Sequence, residues 1–187
     1  MDLELVMGAQ QGDTAAFESL MVANHHRLFL VAHGILRDSH LAEDATQQAF
    51  LDIWRDIRRL REPSKFEAWS YRLLVRVCYA EAKRKPTWTP DSEMLPDEEP
   101  VASDALGIVV DRDRLERGFQ HLSLDQRTVI VLHHLLDMTL EKVAETLEVP
   151  LGTVHSRLSR GMEALRAAME ADATSSGPVS VPQEVVR

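Results

Sequence analysis

Apolar residues recur at intervals of three and four through most of the chain. That is the spacing of helices that each bury one stripe. Phe17, Leu20, Met21, Leu28, Val31 and Ile35 mark a stripe within residues 5–35, with Gly12-Asp13 and Asn24 as candidate breaks. Asp38 or Ser39 can cap the next helix. Ala42, Ala45, Ala49, Ile53, Ile57 and Leu60 carry its buried face to about Leu60. "REPSK" at 61–65 reads as a loop, because Pro63 cannot continue a helix and restricts the residue before it. The spacing then predicts a helix over 66–84, with Phe66, Trp69, Leu73, Val77 and Ala80 on one face.

The periodicity stops at residues 86–104, where four prolines and six carboxylates read as a linker. It resumes with Ser123 and Gln126 at capping-box spacing, and with Val129, Leu132 and Leu136 as the apolar face. Thr139 can cap a short helix over Leu140–Leu147, "EVP" turns the chain, and a last helix runs from Leu151 to about Met169. On that helix Val154, Leu158, Gly161 and Leu165 face inward. The expected architecture is all-α: two small helical domains joined by a flexible acidic linker, the C-terminal one containing a helix-turn-helix. The expected boundaries are 1–85, 86–104, 105–170 and a disordered tail at 171–187.

Composition sharpens this picture in two places. The only cysteine among 187 residues is Cys78, which excludes an internal disulfide. The first residues lack a basic segment followed by an apolar run, and no stretch of eighteen apolar residues occurs, so neither a signal peptide nor a membrane-spanning helix is expected. A cytoplasmic protein is the expectation. The net charge of −9 conceals a strong asymmetry: residues 55–85 hold ten basic and four acidic residues, whereas residues 86–113 hold one basic and eight acidic. A basic segment in an acidic chain is either a solvated helix face or a footprint for phosphates.

Three groups of polar side chains are candidates for chemistry. Asp44, Gln47, Gln48, Asp52 and Arg55 line up opposite the buried stripe of their helix. Arg72, Arg76, Tyr79 and Lys83 share a face by spacing, and Arg84 and Lys85 extend it. Such cations can track phosphates while the aromatic stacks on an exposed base. On the last helix Ser156 lies nearly opposite the inward face, flanked by Thr153, Ser159 and Arg160, with His155 and Arg157 at the boundaries. A helix-turn-helix inserts the first turns of its second helix into the major groove, where Arg can grip a guanine edge or a phosphate. Spacing alone fits an ordinary helical hairpin with a polar exterior equally well.

The residues themselves carry a resemblance. Leu122 and Arg127, Ala144 and Leu147, and the run "VPLGTVHSRLSR" from Val149 to Arg160 match a family pattern. It is that of the −35-binding domain of bacterial RNA polymerase sigma factors of the extracytoplasmic-function (ECF) group. Glu148 stands where the family commonly has Gly, and His155 where a basic residue is more usual. Glu43, Asp44, Gln47, Phe50 and Trp54 match an acidic-Asp-x-x-Gln-x-x-Phe-x-x-x-Trp signature in the first half.

The resemblance implies a protein that binds core RNA polymerase and promoter DNA, directs initiation, and takes an anti-sigma factor as a frequent partner. It implies polymerase docking by Asp44, Gln47, Gln48, Phe50, Asp52, Trp54 and Arg55. It implies −10 contacts by the loop residues Arg61, Ser64 and Lys65 and by Arg72, Arg76, Tyr79, Lys83 and Arg84. The −35 contacts fall to Thr153, His155, Ser156, Arg157, Ser159 and Arg160. No cofactor, metal site, nucleophile motif or membrane insertion is expected. Adjacent histidines such as His25-His26 and His133-His134 point about 100° apart on a helix and do not converge on one ion. The rival reading, a dimeric helix-turn-helix regulator binding an operator, explains the C-terminal half and leaves the Asp44–Trp54 stripe and the basic helix without a role.

Overall fold

The computed structural model describes residues 3–84 and 114–175, and every regular element among them is helical. Eight helices follow one another: α1 (Leu3–Gln10), α2 (Thr14–Leu36), α3 (Ser39–Asp56), α4 (Phe66–Arg84), α5 (114–120), α6 (Leu124–Ile130), α7 (Leu140–Leu147) and α8 (Leu151–Ser175). The expected linker at 86–104 lies outside the described residues. So does the tail beyond 175, whereas 171–175 continue α8 as helix instead of starting a disordered segment.

Local chemistry sets most boundaries. Gly12 takes φ +91° and Asp13 then caps α2, its carboxylate accepting from the amides of Ala15 and Ala16. Asn24 breaks nothing; its side-chain amide donates back to the Leu20 carbonyl at 2.7 Å and stays within α2. Asp38, rather than Ser39, caps α3 through the Leu41 amide. α3 stops at Asp56 and passes into a tight 3-10 turn at Ile57–Arg59. The Gln10 side chain of α1 holds that turn by donating to the carbonyls of Ile57 and Leu60. A second such turn, Pro63–Lys65, lies within the expected loop and leads into α4.

In the C-terminal half Ser123 and Gln126 form the reciprocal capping box, and Thr139 caps α7 through the Lys142 amide. Between α6 and α7 the chain widens into a π-type turn, Val131–Leu135. Glu148 ends α7 with φ 56°, a left-handed cap that a glutamate adopts at some cost.

The two halves are not separately cored. One continuous cluster of buried side chains runs from Val6, Leu20, Val31 and Ile35 through Phe50, Ile53, Phe66 and Leu74 to Val129, Leu132, Val143 and Val154. α2 packs on α6 and its π-type turn, and α4 packs on α7. A small second cluster of Leu122, Ile130 and Leu165 ties α6 to α8. Burial of α4 differs accordingly from the sequence expectation. Ala80 is exposed, while Tyr71, Leu74, Val75 and Cys78 are buried, because this helix is covered from two sides.

Candidate nucleic-acid and polymerase interfaces

The outer face of α3 is polar and open. Asp44, Gln47, Gln48 and Arg55 are exposed and Asp52 is half-buried. Gln48 donates to Asp52 at 3.1 Å, and Arg55 reaches Asp52 and Asp56 at 3.0 and 3.3 Å. These pairs all run along α3 itself. Trp54 is 38% exposed, its ring tilted against Phe17 with centroids 4.7 Å apart. Phe50 corrects the expectation: at 4% exposure it is a core residue beside His25, with no surface for docking. Its neighbour Leu51, 63% exposed, lies on the polar stripe three and four residues from Gln48 and Gln47. That position was readable in the sequence as an apolar residue on an otherwise polar face.

The basic surface splits into two parts. Arg61, Ser64, Lys65, Arg76, Lys83 and Arg84 are exposed. Lys65 pairs with Glu62 at 3.0 Å and Arg84 with Glu81 at 2.9 Å, both within reach of solvent. Arg72 and Tyr79 are instead turned toward the C-terminal half. Arg72 donates to the Glu145 carbonyl at 3.2 Å and lies 3.4 Å from the Glu148 carboxylate. The Tyr79 hydroxyl donates to Asp125 at 2.6 Å, and burial, reinforced by that bond, pushes the phenol up to about 12.

On α8, His155, Ser159 and Arg160 are exposed, with Ser159 at 3.3 Å from Glu163. Thr153 is half-buried. Ser156, expected at the centre of the exposed face, is half-buried as well and donates to the Thr153 carbonyl at 3.0 Å. Arg157 meets the second oxygen of Asp125 at 2.6 Å. Val154, Gly161 and Leu165 are buried and Leu158 is partly so, which sets the helix with its remaining face outward.

Residues 20–87 match the family model for region 2 of sigma-70, and residues 112–165 that for region 4. The chain is 30% identical over 162 residues to the ECF RNA polymerase sigma factor SigM of Mycobacterium tuberculosis, covering 85% of this chain and 80% of that one. This chain belongs to the ECF group of RNA polymerase sigma factors. SigW of Bacillus subtilis, another ECF sigma factor, is 29% identical over 84% of this chain and 90% of its own. Among solved structures, CnrH in complex with the cytosolic domain of CnrY superposes with a TM-score of 0.67 at 20% identity, over 91% of this chain and 98% of that one. The sigma factor RpoE from Bartonella quintana, solved with the anti-sigma factor NepR, gives 0.68 at 20% identity over 83% of this chain and 98% of that one. Both share the sigma factor's all-helical fold. Its role is promoter recognition in transcription initiation. No described helix is long and apolar enough to cross a membrane.

Proposed function

We propose that this sigma factor docks on core RNA polymerase through the outer face of α3 and reads the two promoter elements with α4 and α8. Residues 1–85 form the polymerase and −10 unit, and residues 105–170 the −35 unit. The observation that carries the docking assignment is the exposed α3 face. Asp44, Gln47, Gln48 and Arg55 surround an uncovered Leu51 beside a half-open Trp54, a polar rim around apolar area. Asp52 lies at the edge of the same surface.

The −10 assignment rests on the exposed cations Arg61, Lys65, Arg76, Lys83 and Arg84 of α4 and its preceding loop, with Arg72 of the same helix turned toward the C-terminal half. Ser64 adds a hydroxyl in the loop, and Tyr79 an aromatic able to stack on an unpaired base. The −35 assignment rests on the first turns of α8, where His155, Ser159 and Arg160 are exposed and Thr153, Ser156 and Arg157 are half-buried beside them. The protein supplies no bond-making chemistry of its own; polymerase performs it. A cytoplasmic location follows from that partnership. An anti-sigma factor, the partner named for the RpoE relative, is proposed here as well.

Run-off transcription tests the reading. Core polymerase alone, and core polymerase with the chain, are offered a library of promoter-length duplexes. Transcripts from a defined subset, only with the chain present, are expected. Reversal of charge at Asp44 combined with Gln48→Ala should weaken association with core polymerase at unchanged helicity. Absence of both transcripts and polymerase association would overturn the assignment.

A further inference from the structure

The loop at 61–65 is presented to solvent between two fixed points. Arg61, Glu62, Ser64 and Lys65 are exposed. After the loop, Phe66 is 1% exposed and starts α4 in the core. Before it, the chain is held by a side chain 50 residues earlier in the sequence than Leu60. Gln10, at the end of α1, donates both hydrogens of its amide nitrogen to backbone carbonyls, Ile57 at 3.1 Å and Leu60 at 2.6 Å. The Leu60 carbonyl belongs to the peptide unit that joins Leu60 to Arg61, the first residue of the loop. The Ile57 carbonyl also accepts the Leu60 amide at 3.1 Å and so closes the 3-10 turn. One primary amide therefore ties both ends of that turn to α1.

A 3-10 turn this short has poor hydrogen-bond geometry and little rigidity of its own. α1 supplies what the turn lacks. Val6 and Ala9 are buried, and Gly8 lies so close to α2 that a Cβ built there would fall 2.9 Å from Ala16 Cβ. A second tie runs the other way. Arg58, from the turn, lies over Gly12, whose built Cβ would fall 2.7 Å from Arg58 Nη2. We propose that Gln10 is a positioning residue for −10 recognition: without touching DNA, it fixes the direction in which Arg61, Ser64 and Lys65 leave the turn after α3, and so sets which −10 base they accept. This role rests on the −10 assignment of the loop made above. Base contacts discriminate only when the reading groups are held in place. In a site that depends on orientation, a displacement of about 1 Å can cost about 100-fold.

Gln10→Met keeps the length of the side chain and removes both donors. Arg58, Arg59, Arg61 and Lys65 are exposed trypsin sites, and cleavage there in the folded full-length chain, with products assigned by mass, reports local opening. The variant should be cut at these sites severalfold faster than wild type. Run-off transcription with core polymerase, on promoters varied in the −10 element at a fixed −35 element, reads the consequence. Gln10→Met should lose roughly tenfold in preference for the favoured −10 base, while preference among −35 elements and competition for core polymerase stay at wild-type values. A loop control, Arg61→Ala with Ser64→Ala and Lys65→Ala, should lose the same preference. Adding Gln10→Met to that control should change the preference no further, the non-additivity expected of groups that act through one another. A wild-type −10 preference in Gln10→Met, against a loop control that has lost it, overturns the positioning role and leaves the −10 assignment standing. An unchanged rate of cleavage overturns the role too. So does a parallel loss of preference at both promoter elements, the mark of a purely structural residue. A loop control that keeps the wild-type −10 preference removes the loop from the −10 surface, and the role of Gln10 with it.

Discussion

Phe50 and Leu51 are adjacent in α3 and should respond to truncation in opposite ways. Phe50 is 4% exposed and belongs to the shared core, whereas Leu51 is 63% exposed on the proposed polymerase face. Phe50→Ala removes a buried ring and leaves a cavity, at a cost of about 3–5 kcal/mol. For a chain of this size that lowers Tm by on the order of 10 °C. Leu51→Ala removes no core contact and should leave stability within about 0.5 kcal/mol of wild type. Its effect appears on docking. Fully burying a leucine contributes about 1.5–3 kcal/mol, and the exposed share of Leu51 leaves about 1–2 kcal/mol to gain against polymerase. That is a loss of roughly 5- to 30-fold in affinity, since about 1.4 kcal/mol is tenfold. Thermal unfolding by circular dichroism measures the first quantity. Competition with labelled wild type for core polymerase, well below both unfolding temperatures, measures the second. A Leu51→Ala protein that competes as well as wild type would remove this residue from the interface. A drop in Tm for Leu51→Ala comparable to that for Phe50→Ala would show that the burial of α3 is misassigned.

Glu148→Gly should stabilise the chain by roughly 1 kcal/mol, because the left-handed cap strains a glutamate and not a glycine; its exposed pair with Arg72 offsets little of that, and denaturant unfolding reads the gain. Cys78, Tyr71 and Tyr79 are each pushed up to about 12, chiefly by burial. Their folded values lie above the unfolded ones, so the stability they contribute is complete below about pH 8.5 and is lost as pH rises toward 12; alkaline unfolding curves should bend there, and Cys78 should resist a thiol reagent at pH 8 until the chain unfolds. On a library of −35 elements with polymerase present, Arg160→Ala should either relax one base position at a cost of about 1–3 kcal/mol or flatten the salt slope by about one at unchanged preference. No effect on either quantity would place exposed Arg160 outside the DNA surface.

The helix starts were legible in the sequence because the caps that set them are local; the ends were less so, since α3 stops at Asp56 short of Leu60 and α8 runs past Met169 to Ser175. Asp13 and Asp38 cap through amides two or three residues on, Ser123 and Thr139 do the same in the second half, and the Gln126 side chain reaches back to the Ser123 amide. The buried stripes of α2, α3 and α8 were legible for a related reason: a period of 3.6 marks the apolar positions of a helix whichever neighbours cover them. The family signature was legible because its residues sit at fixed short spacings on those helices. α4 was not, since neighbours on two sides bury Tyr71, Leu74 and Cys78 as well as Leu73 and Val77, and periodicity does not say which neighbours arrive. Phe50 was misplaced because a shared signature marks a position without telling whether its side chain contacts a partner or fills a core. The pairing of Tyr79 and Arg157 on Asp125 was beyond the sequence altogether. Tyr79 and Asp125 are 46 residues apart, so their meeting depends on how α2 and α4 pack against α6 and α7, an arrangement that no interaction within either half specifies.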